Sequence, residues 1–177
     1  GLDSEQFSEF ERTLLANGWL QDMGKANSHF QEMVSQQNGI KQLIRHETLS
    51  GILAHHNEQF DDWLKPLGES KLIAIWGAIG HHRKFSEDTS PNQVSPLIVR
   101  LTDPDFQLML EEMANDLSLE PPPTFEKDLE IAYSKRQTCD LPARETVIDL
   151  IDEFEDLEEN FQKDESKRFI ALVKAFG

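Results

Sequence analysis

Residues 18–31 read Gly18-Trp19-Leu20-Gln21-Asp22-Met23-Gly24-Lys25-Ala26-Asn27-Ser28-His29-Phe30-Gln31, and the chain is best read outward from them. An apolar helical run ends there in an acid, a glycine and a lysine, and a second amphipathic segment starts at once. Asp22 and Lys25 are three residues apart, so on a helix they share a face. Taken alone, such a pair is ordinarily a surface ion pair. What gives it weight is the histidine pattern downstream, Arg45-His46-Glu47 and then Gly80-His81-His82.

Upstream, Phe7, Phe10, Leu14 and Leu15 recur at helical spacing, so residues 4–17 read as an amphipathic helix that closes near Gly18. Asn27 and Ser28 can cap the next helix, whose Phe30, Met33 and Val34 face inward. Asn38-Gly39 is a turn. Residues 40–60 read as one long helix with Arg45-His46-Glu47 inside it. Pro66-Leu67-Gly68 breaks the chain. Residues 72–79 then form a helix apolar on most sides, hence the central one, with Trp76 buried.

Residues 83–96, rich in Ser, Asp, Asn and Pro, read as an exposed loop. Asp103 caps a helix over 103–117, with Pro104 in its first turn. Pro121-Pro122-Pro123 is a stiff spacer. A short helix is expected over 125–135, a long acidic one from 142 or 143 to 162, and a last one over 165–176. No alternation is long enough to argue for a strand. The predicted class is all-α, a compact helical bundle, with residues 1–177 as a single domain that can be a piece of a larger protein.

Composition narrows the function. The chain has 177 residues, 38% hydrophobic and 28% charged, which fits a globular protein with a real core. No run approaches a spanning helix, and there is no basic-then-apolar leader, so no membrane partner is expected. The single cysteine, Cys139, excludes an internal disulfide and a multi-cysteine zinc site, and a cytoplasmic setting is the expectation. Lys and Arg number 17 against 33 Asp and Glu, a formal net charge of −16. Nucleic-acid binders usually show the reverse, because neutralising phosphate dominates their affinity. An acidic chain can handle nucleic acid only with help from bound divalent metal or from a basic partner.

Six histidines are present: His29, His46, His55, His56, His81 and His82. A lone histidine on an apolar helix is more often structural than a ligand. Neighbouring helical residues point about 100° apart, so His81 and His82 can reach one ion together only where the helix ends. The onset of the 83–96 loop offers that end. One carboxylate with imidazoles from three helices suits a transition metal such as Mn, Fe, Co, Ni or Zn, with Mg as a further option. His29, His55 and His56 lie roughly 10 Å or more along continuous helices from Asp22 and His46, and read as surface or packing residues.

The run Leu20-Gln21-Asp22-Met23-Gly24-Lys25-Ala26 with Phe30-Gln31, then Arg45-His46-Glu47 with Ser50, then Gly80-His81-His82, resembles the HD nuclease domain of CRISPR-associated type I systems. The resemblance covers about the first half of the chain. It implies a helical HD-domain bundle, joined to a helicase domain or carried by a CRISPR effector complex, that cuts single-stranded DNA with divalent metal. Carried over by position, Asp22 is the bridging carboxylate, and His46, His81 and His82 complete one metal's ligands. Lys25 contacts the scissile phosphate or attacking water, and Arg83 and Lys84 lie where a strand would enter.

Three departures concern a second metal position. The family's histidine before the aspartate is Gln21; no histidine precedes His29, so the early histidine is absent or lies outside this sequence; and the late aspartate has no clear match, Asp149 and Asp152 being weak candidates on an acidic helix face and a position beyond residue 177 remaining open. Three functions remain open on the sequence: a metal-dependent nuclease, a catalytically weakened HD domain kept as a docking module, and an HD-superfamily nucleotide phosphohydrolase. Arg45-His46-Glu47 and Phe30-Gln31 favour the CRISPR branch over the third.

Overall fold

The computed structural model describes residues 3–35, 44–80, 97–132 and 139–161. Within them the chain is mostly helical, as its periodicity predicts. The first helix, α1, spans Ser4–Met23. Asp3 caps it, accepting from the amides of Glu5 and Gln6, while the Gln6 side chain returns a bond to the Asp3 N–H. Its buried stripe is Thr13, Ala16, Asn17, Leu20 and Met23. The helix does not close at Gly18. That glycine lies on the solvent face with nothing near its missing Cβ, so it costs about 1 kcal/mol of propensity without breaking the helix.

Short α2 (Ser28–Ser35) follows, capped by Asn27, whose side chain accepts from the Phe30 amide; of the residues expected to face inward, Phe30 and Met33 are half-buried and Val34 is exposed. The long helix expected over 40–60 is two helices among the described residues, α3 (His46–His56) and α4 (Glu58–Leu64). Asn57 divides them: its backbone is extended and its side chain caps Phe60 N, the use of asparagine that helix interiors disfavour. Arg45 is likewise extended, so His46 opens α3 instead of sitting inside a helix. A 3-10 turn over Lys65–Leu67 leads into α5 (Glu69–Gly80).

Helices α1, α3 and α5 pack on one another around a single core. Leu20, Leu49, Ile52, Leu53, Ala74 and Ile75 are fully buried, each large aliphatic contributing roughly 1.5–3 kcal/mol. Gly51 lets α3 lie close on α5, since a Cβ there would crowd Ile75 and Ile79. Trp76, expected to be buried, is half-buried and stacks flat on Phe154, ring centroids 5.8 Å apart.

Helix α6 (Pro104–Leu117) starts as predicted, on the Asp103 cap with Pro104 in the first turn. Helix α7 (Ala143–Phe161) matches the long acidic helix. Strands are the main departure. β1 (Leu97–Val99) pairs antiparallel with β2 (Leu129–Ala132), which pairs parallel with β3 (Leu141–Pro142). Where it is described, the short helix expected over 125–135 is instead irregular chain through Asp128 and then β2, held by a partner about thirty residues away in sequence. The expected loop at 83–96 and last helix at 165–176 lie outside the described residues.

Candidate functional site

The site is built where the end of α1 meets the start of α3. Helix α1 stops at Met23, and Gly24 keeps ordinary right-handed dihedrals. Glycine is needed there for approach: a Cβ would overlap the His46 carbonyl and lie 2.9 Å from Ser50 N. Ser50 closes the junction, its hydroxyl accepting from Gly24 N at 2.7 Å and donating to the His46 carbonyl at 3.0 Å. The following loop is clamped as well. Asn27 donates to the Gly24 carbonyl at 2.5 Å, and Arg100 N donates to the Ala26 carbonyl at 2.8 Å. The small sheet thus holds the loop that carries Lys25, a role invisible in local periodicity.

On this frame Asp22 and Lys25 pair across one turn, with Oδ1 and Nζ 2.5 Å apart and the Asp22 side chain 61% exposed. The Lys25 ammonium lies 5.9 Å from the Phe30 ring centroid. Phe30 in turn meets the His46 ring edge-on at 5.4 Å. Asp22, Lys25, Phe30 and His46 therefore form one continuous neighbourhood. Behind it Glu47 is almost wholly buried, in ion-pair contact with Arg45 Nε and 3.3 Å from His46 Nδ1.

Asp22 and Lys25 also line a cleft of about 400 Å³ with Gln31, Arg100, Phe106 and Met109. Arg100 has no signal in the sequence, because only the β1–loop bonding brings it there. Its guanidinium reaches Asp128 at 3.4 Å. Burial pushes the Asp128 carboxyl up, but bonds from Thr102 and Arg100 outweigh it and hold the group below the usual carboxylate range.

Gln21 turns inward from the motif. Its amide donates to Asn17 Oδ1 at 3.0 Å, and buried Asn17 donates to the Ala74 carbonyl of α5 at 3.1 Å. Gln21 is thus tied, through Asn17, to the α1–α5 contact. Asp149 and Asp152 lie on α7, both exposed. That helix meets the far end of α3, where His55 Nε2 lies 2.9 Å from Glu153 and His56 Nε2 lies 2.9 Å from the Thr146 carbonyl. His29 is half-buried, and burial lowers its pKa against the opposing charge of Glu32.

His81, His82, Arg83 and Lys84 lie outside the described residues. Among the described ones no three His, Cys, Asp or Glu side chains form a group able to hold a metal ion. The two described members of the expected ligand set, Asp22 and His46, offer the oxygen and nitrogen donors that a divalent transition metal takes. No helix among the described residues is long and apolar enough to cross a membrane.

Over an alignment of 143 residues that covers 77% of the chain, it is 32% identical to a protein of Myxococcus xanthus named as a CRISPR-associated nuclease/helicase, Cas3. The matched stretch is 19% of that protein's length. No family model matches the chain, and no solved structure does. The chain is thus similar to part of a CRISPR-associated nuclease/helicase, in agreement with its motifs.

Proposed function

We propose that this chain is a metal-dependent HD nuclease domain acting on single-stranded DNA in CRISPR interference, alongside a helicase domain or effector complex. The observation that carries the reading is the Gly24–His46–Ser50 junction. Two motifs separated by more than twenty residues in sequence meet there backbone to backbone, which supports reading Asp22, Lys25 and His46 as members of one site.

In this reading Asp22 and His46, with His81 and His82, hold a divalent ion. Bound there, that ion supplies Lewis acidity and an activated water for phosphodiester hydrolysis. Lys25 contributes a cation for the scissile phosphate, and Arg100, lining the same cleft, a second. Arg83 and Lys84 guide the strand. With a net charge of −16, the chain repels DNA at long range, so a basic partner supplies the affinity.

The Gln21–Asn17 bond gives the docking-module reading its own support, since a position that would bind a second metal serves packing instead. One experiment separates the readings: elemental analysis, then cleavage of single-stranded DNA with Mn, Co, Ni or Mg. Bound metal with metal-dependent cleavage is the expected result. Metal without cleavage transfers the assignment to the docking module, and hydrolysis of nucleotides alone to a phosphohydrolase. A protein that binds no divalent metal overturns the proposal.

A further inference from the structure

Helices α1 and α6 leave a second opening beside the site. It is a groove of about 510 Å³ lined by Leu14, Leu15, Gly18, Trp19 and Asp22 of α1 and Met109 of α6. It adjoins the cleft of Lys25 and Arg100, because Asp22 and Met109 line both. Its size falls within the roughly 300–1,000 Å³ usual for small-ligand sites. Gly18 keeps the groove open, since nothing stands near the place of its missing Cβ. Leu15 is 48% exposed, a large apolar side chain left in water.

The two openings differ in charge. Lys25 and Arg100 line the cleft, together with Asp103 and Asp105. The residues lining the groove include no cation, and Asp22 is their one charged member. Phosphate, which is held by positive charge, is therefore disfavoured in the groove and suited to the cleft. What the groove offers instead is an indole. Trp19 packs against the core, and its Nε1–H donates to Asp116 of α6 at 3.1 Å. Held from both helices, the ring loses little freedom when a planar ligand settles on it. Trp19 and Asp22 are three residues apart on α1, so they share a face and lie about 4.5 Å apart along the axis.

We propose that this groove is a nucleobase subsite: a base of the single strand stacks on Trp19, while the phosphates beside it follow Lys25 and Arg100 through the adjoining cleft. The inference rests on the nuclease reading above for the strand and adds where its base goes. Single-strand sites generally combine a cationic track with aromatic platforms, and every base has a π-face, so the subsite takes any base. Stacking also supplies affinity to a chain whose net charge of −16 gives none at long range.

The test needs no metal. The 15N-labelled full chain, in chelator and low salt, is titrated with a short oligothymidylate and, separately, with the same strand lacking its bases. The chain has three tryptophans, and the indole N–H signal of Trp19 is identified by its absence in Trp19→Phe. That signal is expected to move on adding oligothymidylate and to stay still with the base-free strand. Trp19→Leu, which keeps an apolar side chain on the core, should weaken oligothymidylate binding about 5-fold or more, read from backbone amide shifts, and Trp19→Phe much less. No movement in the wild-type chain overturns the proposal and needs no variant to fold. Equal movement with the base-free strand overturns it too, as does a folded Trp19→Leu chain with undiminished affinity. Mn2+-dependent cleavage, assayed separately, keeps the two readings apart. A chain that cleaves while its Trp19 signal stays still loses only the base subsite. A chain that shows the stacking but neither binds Mn2+ nor cleaves loses only the nuclease reading.

Discussion

Helix α3 carries histidine at both ends, and the two ends are built for different work. At the N-terminus His46 sits on the positive end of the helix dipole, beside buried Glu47, with its carbonyl pressed against Gly24. At the C-terminus His55 and His56 meet edge to face, 4.8 Å between ring centroids, and bond to Glu153 and the Thr146 carbonyl of α7. One end of the helix thus fastens a neighbouring helix, and the other packs its backbone on the end of α1. Residue type alone does not separate these roles; position on the helix does.

The comparison breaks most visibly at Gly24. Gly24→Ala drives a methyl group into backbone, which cannot yield as a flexible side chain would, so a loss of about 3 kcal/mol or more is expected, together with loss of metal binding. A thermal melt and a metal titration check it. Ser50→Ala leaves the buried Gly24 N–H without its acceptor, at a cost of about 1–3 kcal/mol, read from the denaturant midpoint. A change below experimental error in either variant would mean that the junction does not hold the site together.

The other end should respond to acid. Burial and the neighbouring His55 charge lower the pKa of His56, opposed by Thr146, Asp149 and Glu153. As pH falls through about 6.5, the unfolded chain takes the proton first. Stability therefore declines from there down to the folded pKa and levels off below it. His56→Gln, which can still donate to Thr146, should flatten that slope in melts between pH 7 and pH 5. Paired carboxylates do not confuse the window. Burial raises the Asp61 carboxyl but Lys71 outweighs it and holds it low, so its contribution is lost only as pH falls below about 4. The smallest expected effect is at Gly18, where the open solvent face should let Gly18→Ala add about 0.5–1 kcal/mol.

Features decided by neighbours in sequence were legible in it. The Asp103 cap with Pro104, the Asn27 cap, and the apolar stripes of α5 and α7 are local signals, and each appears where expected. Gly18 was misleading because a glycine's effect depends on which face it occupies, and the 3.6-residue stripe through Asn17 and Leu20 outweighs it. Strand β2 was read as helix because its pairing with residues 97–99 is long-range, and short apolar runs do not distinguish the two states. The site follows the same division. Asp22, Lys25 and His46 stand out as motif residues, while the burial of Glu47 and the arrival of Arg100 depend on tertiary contacts.

The central claim is that His46, at the N-terminal end of α3, belongs to a metal-dependent nuclease site and that the histidines at the other end do not. The most direct test is one Mn2+ titration, each point also assayed for single-stranded DNA cleavage, on the wild-type chain, His46→Ala and the double variant His55→Ala/His56→Ala. The account predicts that His46→Ala loses metal binding and cleavage together, whereas the double variant keeps both and loses only stability. Undiminished Mn2+ binding by His46→Ala, or its loss in the double variant with the fold intact, would contradict it.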